Sequence, residues 1–167
     1  MAYTDDPADR ALLVAAAYVV LQRRDPRRGD EVLLQLRRGT GYMDEHWAVL
    51  AGHLEPGETI TAAAVREAAE ESGVVVAETD LEPLTTLHRF IPGGPPIEQR
   101  VDFFFRAHRW AGEPAPLEVD RCAEMRWFAL DALPTPVVPH ELAVLRALAG
   151  GGLPPSIVAM PLGPARP

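Results

Sequence analysis

The chain has 167 residues, with 24 acidic and 16 basic side chains and a formal net charge of −8, which excludes the broad basic footprint that long nucleic acid requires. Hydrophobic residues make up 47% and charged residues 24%, enough apolar material for one globular domain of ordinary size and too much for a disordered chain. Cys122 is the only cysteine, which excludes an internal disulfide.

Residues 1–10 are polar and read as a frayed N-terminus; the opening Met-Ala-Tyr-Thr-Asp-Asp is acidic where a secretory leader is basic. No run of 18 apolar residues marks a membrane helix, so the expected location is the cytoplasm and no membrane partner is expected. Residues 11–22 (ALLVAAAYVVLQ) form a continuous apolar run, the pattern of a strand buried on both faces. Pro26 and Gly29 break residues 23–30 into a turn, and residues 31–36 read as the partner strand. Residues 37–46 form a Gly-containing loop and 47–51 a short strand. Pro56-Gly57 turns the chain into an Ala-rich helix over 59–72 that Gly73 terminates. Strands are expected at 74–77, 84–91, 98–110 and 123–130, and a closing helix at 140–149. Residues 150–167 read as an extended Gly/Pro-rich tail after a domain spanning 11–149. Mixed strands and helices in this order suggest α/β layers around a mixed sheet.

Within the helix at 59–72, Glu67, Glu70 and Glu71 stand at i, i+3 and i+4, so their carboxylates project from one face. Like charges placed this way destabilise a helix unless a cation neutralises them. Carboxylate oxygens are hard ligands, which points to Mg²⁺, with Mn²⁺ the alternative. Arg66 lies four residues before Glu70 and can fix a glutamate rotamer; Glu58 sits near the helix start, where the dipole favours an anion. Taken alone, the three glutamates are more simply a solvated helix face.

The wider pattern is less ambiguous. Gly52, five residues, Glu58, seven residues, then Arg66-Glu67-Ala68-x-Glu70-Glu71-x-Gly73 resembles the signature of the Nudix (MutT-like) hydrolase family. At background usage of roughly one in fifteen per residue, a chance match at these seven positions is on the order of one in a million. The resemblance implies an α/β/α sandwich around a mixed β-sheet, with the box as loop–helix–loop. It also implies hydrolysis of a nucleoside diphosphate linked to a moiety X. Carried over residue by residue, Glu67, Glu70 and Glu71 would hold the divalent metal, joined by the Gly52 carbonyl. Glu70, or alternatively Glu67, would serve the attacking water, and Arg66 and Glu58 would support these carboxylates. Leu50-Ala51-Gly52 replaces the Pro-Gly-Gly common in the family, and Ala68 fills a site often held by a larger aliphatic residue; neither departure removes a charge.

Outside the box, Glu118 and more weakly Asp120 are loop carboxylates that could reach the metal, while Arg37 and Arg38 are candidate phosphate contacts. Tyr42, Trp47, Phe90, Phe103, Phe105 and Trp127 could each stack on a base, although core packing is the simpler role for every one. The five histidines show no ligand spacing, and His53, inside the box loop, is a candidate lining residue. The expected partner is a small nucleotide-type substrate, with a nucleoside triphosphate first and a nucleotide sugar or ADP-ribose next. The acidic balance argues against RNA decapping. A non-catalytic nucleotide-sensing module would be expected to have lost box carboxylates, and all remain. The resemblance leaves room for a homodimer through the apolar C-terminal region.

Overall fold

The computed structural model describes residues 11–161; the expected frayed terminus at 1–10 lies outside them. The long apolar run becomes β1 (Val14–Asp25), continuously buried from Ala16 to Gln22. Because side chains alternate along a strand, β1 feeds two cores. Ala16, Tyr18 and Val20 pack with Val144, Leu145 and Leu148 on one face. Ala17, Val19 and Leu21 pack with Ala63, Ala64 and Ala68 on the other. A strand buried on both faces between two helices is an α/β/α sandwich, the fold class expected.

The helices are α1 (Ile60–Ser72) and α2 (Pro139–Ala149). The remaining strands are β2 (Gly29–Arg37), β3 (Trp47–Ala48), β4 (Leu50–His53), β5 (Glu82–Phe90), β6 (Arg100–Ala107), β7 (Cys122–Ala129) and β8 (Ile157–Pro161). The main path runs β3-β2-β1-β6-β5-β8, with β4 on β1 and β7 on β2. β1 and β6 are parallel, from Val14↔Arg100 to Leu21↔Ala107, while β2 and β4 run antiparallel to β1.

One junction positions the site. β2 pairs with β1 only over Gln22–Asp25 and then leaves it to pair with β3 and β7. The vacated half of β1, Ala16–Val19, is taken by β4. The chain therefore changes sheets between β3 and β4, at Val49. The Val49 N–H is not given to a neighbouring strand; it donates to Glu141 Oε2 at 2.6 Å. This explains why the single strand expected at 47–51 is two short ones.

Two other expectations change. The strand expected at 74–77 reduces to a single bridge, Val75↔Ala111, because its partner is the loop after β6 and offers one pairing before Gly112 turns away. The segment read as a tail contains β8, which adds to β5 in parallel from Thr86↔Ile157 to Phe90↔Pro161. Val158 and Met160 of β8 pack inward against the α2-side core, a burial too short and too interrupted by glycine and proline to stand out in sequence.

Candidate active site

The box helix is bounded as its sequence requires. Thr59 caps α1 through its side-chain oxygen, which accepts from Ala62 N, and Gly73 ends it in the left-handed region at φ 73°. Arg66 then organises the acidic side chains. Its guanidinium donates to both Glu58 oxygens at 2.7 and 3.2 Å, to Glu67 Oε1 at 2.7 Å, to Glu70 Oε2 at 3.1 Å and to the His53 carbonyl at 3.0 Å. One planar donor fork therefore ties the loop before the helix to two glutamates on it. The hydrogen bonds from Arg66, and then from the Glu55 N–H, hold the Glu58 carboxyl below its usual range.

Glu67 and Glu71, one turn apart, lean toward the sheet. Burial pushes the Glu67 carboxyl up, opposed by Arg66. Burial pushes Glu71 further, to about 8, although hydrogen bonds from Gln35 and from the Ala51 N–H at 2.8 Å pull the other way. Glu70 stands at the open rim, its side chain 53% exposed. Gly52 faces Glu67 so closely that a Cβ at position 52 would fall on the Glu67 carboxyl group. The glycine is thus a requirement of close approach, not of backbone conformation.

The donor set fits a hard divalent cation. Glu71 is a nearly buried carboxyl with no basic partner in its hydrogen bonds, and the Gly52–Glu67 contact leaves backbone and carboxylate side by side. Among the described residues, however, no three His, Cys, Asp or Glu side chains converge into a ready-made cage; the guanidinium of Arg66 neutralises Glu58, Glu67 and Glu70 instead. That suits an ion such as Mg²⁺, which takes one or two carboxylates and completes its shell with water and substrate phosphate.

These groups open onto a cleft of about 550 Å³, a volume suited to a small-molecule ligand. Gly52, Arg66, Glu67, Glu70, Glu71, Glu118, Arg37, His53 and Tyr42 all line it. Glu118 reaches it because the loop after β6 is tied to the end of α1: Leu117 N donates to the Glu71 carbonyl and Ala115 N to the Ser72 carbonyl, both at 3.0 Å. Arg37 donates to Tyr42 O and Thr40 Oγ1, each at 3.0 Å. Two expected contacts fall elsewhere. Arg38 donates to the Val119 carbonyl and the Asp120 carbonyl packs on Gly39; neither Arg38 nor Asp120 lines the cleft. Tyr42 departs from the core role expected of it. It is 47% exposed at the rim, on a loop fixed by Asp44, whose carboxylate accepts from Thr40 N, Thr40 Oγ1 and Gly41 N.

The cleft floor escaped the sequence reading. It comprises Tyr18, Arg89, His140 and Glu141, with Arg100 and Arg121 at the sides. Arg89 and Asp102 form a buried ion pair, and Arg89 also donates to the Tyr18 hydroxyl at 3.3 Å. His140 Nε2 lies 3.3 Å from the same hydroxyl. Burial drives His140 down to about 3 and Glu141 up to about 8. The signal in the sequence was a charge at an inward position of each of two apolar strands, Arg89 and Asp102, but their pairing depends on a register that sequence does not print.

Residues 12–148 match the NUDIX domain. The chain belongs to the Nudix family. Its relatives include the NAD-capped RNA hydrolase NudC of Pseudomonas aeruginosa strain LESB58, 36% identical over 121 residues, 72% of this chain and 39% of the relative. The human 8-oxo-dGDP phosphatase NUDT18 is 32% identical over 151 residues, 87% of this chain and 42% of the relative. The chain thus spans less than half the length of both. Among solved structures, a MutT NUDIX hydrolase from Burkholderia pseudomallei superposes with a TM-score of 0.62 at 28% identity, covering 78% of this chain and 96% of that one. The Nudix domain of Shewanella oneidensis NrtR, solved with ADP-ribose, has a TM-score of 0.69 at 18% identity, covering 87% and 92%, a likeness of fold alone. The Nudix family acts on small nucleotide-type substrates and generally uses divalent metal ions. Among the described residues no helix is long and apolar enough to cross a membrane.

Proposed function

We propose that this Nudix hydrolase is a metal-dependent pyrophosphohydrolase whose first substrate class is a nucleoside triphosphate, cleaved to the monophosphate and pyrophosphate. The observation that carries the reading is a single cleft lined both by the α1 carboxylates and by a set of polar groups from other elements, Tyr18, Arg89, His140 and Glu141. A substrate that carries both a phosphate chain and a base fits that lining. Glu67, Glu70, Glu71 and the Gly52 carbonyl would hold Mg²⁺ or Mn²⁺. When bound, the ion neutralises phosphoryl charge and acidifies water. Arg66 and Glu58 hold the carboxylates in place, and Glu70, the most solvent-accessible of the three, orients the attacking water and takes its proton. Glu67 is the alternative for that role. Arg37 contributes a guanidinium to the phosphates, and Glu118, whose charge acts on Glu67 and Glu71, is an additional acid.

The second reading is a dinucleotide-type substrate, a nucleotide sugar, ADP-ribose or a capped nucleotide. It is supported by three arginines of the cleft, Arg37, Arg100 and Arg121, which have no carboxylate partner among the described residues, and by the names of the NudC relatives. The acidic balance of the chain keeps RNA itself behind free nucleotides.

A panel of nucleoside triphosphates including oxidised ones, nucleotide sugars, ADP-ribose, NADH and dinucleoside polyphosphates, with products resolved, separates these readings. Glu70→Gln should lower turnover by about 10² to 10⁴-fold with an unchanged melting temperature. Survival of activity within a few-fold would remove Glu70 from its role, and full turnover in excess EDTA would sink the metal requirement.

A further inference from the structure

β5 and β6 bring two arginines face to face. Arg89 and Arg100 stand directly opposite in the antiparallel register, so their side chains leave the same face of the sheet, and both line the cleft. Like charges placed opposite each other destabilise a strand pair unless an anion offsets them. One anion is supplied. Asp102, two residues along β6 from Arg100 and therefore on the same face, accepts from Arg89 Nε and, at 3.1 Å, from Arg89 Nη2. Both of its oxygens are thereby committed to Arg89, and Arg100 has no carboxylate partner among the described residues.

Arg100 meets a neutral acceptor instead. Its Nη1 lies 3.2 Å from His53 Nε2. A guanidinium only donates, so Nε2 accepts and the imidazole is un-ionised. Burial, and then the Arg100 charge, push the His53 titration down in the same sense. The contact reaches across β1. Ala16 pairs with His53 on one side and with Asp102 on the other, while Arg100 pairs with Val14; the small side chain of Ala16 leaves the space in which ring and guanidinium meet. His53 has a second tie, because its carbonyl accepts from Arg66 Nη2 at 3.0 Å. One residue therefore fastens two guanidinium groups. Arg66 is surrounded by Glu58, Glu67 and Glu70, whereas Arg100 turns an uncompensated charge to the cleft.

We propose that Arg100 binds a phosphate group of the substrate and that His53 is its positioning residue. The ligand that suits a planar donor fork is an anion with paired oxygens, and within a nucleotide only the phosphate chain carries that charge. The un-ionised imidazole is what keeps the site open: a carboxylate at position 53 would pair with Arg100 and cancel the charge that the phosphate meets. The inference rests on the nucleotide reading above but not on hydrolysis, so binding tests it separately.

The probe is pyrophosphate with excess Mg²⁺, titrated calorimetrically into the full chain at low salt. Arg100→Met should weaken binding by about 10- to 100-fold, the loss expected for a hydrogen bond to a charged group. The melting temperature of the ligand-free variant should not fall, since one of two opposed like charges is gone. Arg100→Lys keeps the charge without the fork and should lie between. His53→Leu deletes the acceptor and should weaken binding by about threefold, and His53→Gln, which restores an acceptor, should bring affinity back to about the wild-type value. Arg24→Met, at the exposed β1–β2 turn, controls for net charge and should leave affinity unchanged. Wild-type affinity in Arg100→Met would overturn the proposal, as would equal losses in Arg100→Met and Arg24→Met, a melting temperature that falls along with affinity in Arg100→Met, or no pyrophosphate binding to the wild type at millimolar concentration. A glutamine variant as weak as His53→Leu would remove His53 from its positioning role. Failure to hydrolyse any nucleotide while this binding pattern holds would discard only the catalytic reading. Hydrolysis with a pyrophosphate affinity indifferent to Arg100 would discard only the present proposal.

Discussion

Gly52 is the residue at which a single methyl group reports on the whole acidic centre. Its backbone lies where the Glu67 carboxyl packs, and a Cβ there would overlap that carboxyl. Glu67 cannot retreat freely, because its Oε1 is held by Arg66 at 2.7 Å and Arg66 is itself held by Glu58. The substitution Gly52→Ala therefore displaces a carboxylate without deleting any charge. Misplacement on the scale of an ångström costs on the order of 10²-fold in rate. Gly52→Ala should lower kcat by about that factor while the melting temperature falls only slightly, since β4 is already extended at this position. Turnover within a few-fold of wild type would show that Glu67 does not need its present place. The same crowding explains why the residue types at 52, 66 and 67 were legible together in the sequence: each excludes alternatives at the others.

The element that ties this centre to the rest of the cleft is the C-terminal turn of α1. A helix leaves its last carbonyls without partners, and here the loop after β6 supplies them: Leu117 N and Ala115 N donate to Glu71 and Ser72. Gly73 makes this possible by turning left-handed at φ 73°, with its N–H returned to Ala69 O at 2.9 Å. An alanine there meets about 1–2 kcal/mol of backbone strain, and its Cβ would stand 3.3 Å from Leu117. Gly73→Ala should lower the free energy of unfolding in urea by about that much and speed proteolysis within residues 111–121; unchanged cleavage would show that the loop is held by other contacts. At this scale the sequence was informative where pattern is local. Both helices, the terminating Gly73 and the buried run of β1 were readable from periodicity and helix-ending residues. What was not readable depends on distant pairing. β8 shows as a strand only because β5 offers an edge. The division of 47–53 into β3 and β4 depends on Glu141, 92 residues beyond Val49. The floor of the cleft, Tyr18 with Arg89, His140 and Glu141, is assembled from three elements whose side chains carry no shared spacing.

For the molecule as a whole, these buried carboxyls set the pH dependence of stability. Glu71 and Glu141 are both pushed up to about 8 by burial, whereas in the unfolded chain they titrate near the ordinary glutamate value of about 4.3. Between those limits the folded state holds more protons than the unfolded state, so stability falls as pH rises. His140, driven down to about 3, acts oppositely, but only below its unfolded value of about 6.5, where the folded state binds fewer protons. From pH 6.5 to 8 the carboxyls therefore act alone among these three, and the metal-free protein should melt several degrees lower at pH 8.5 than at pH 6.5, at about 2–4 °C per kcal/mol for a domain of this size. A divalent cation held by Glu71 requires the ionised form, so millimolar Mg²⁺ should raise the melting temperature more at pH 8.5 than at pH 6.5 and flatten the slope. Glu141→Gln should remove its own share of the slope, leaving the share that Glu71 contributes. Scanning calorimetry of both proteins at the two pH values, with Mg²⁺ and with EDTA, checks each term. A metal-free profile flat between pH 6.5 and 8.5 would mean that both carboxyls are already ionised in the folded protein, and the electrostatic account of the cleft would fail with it.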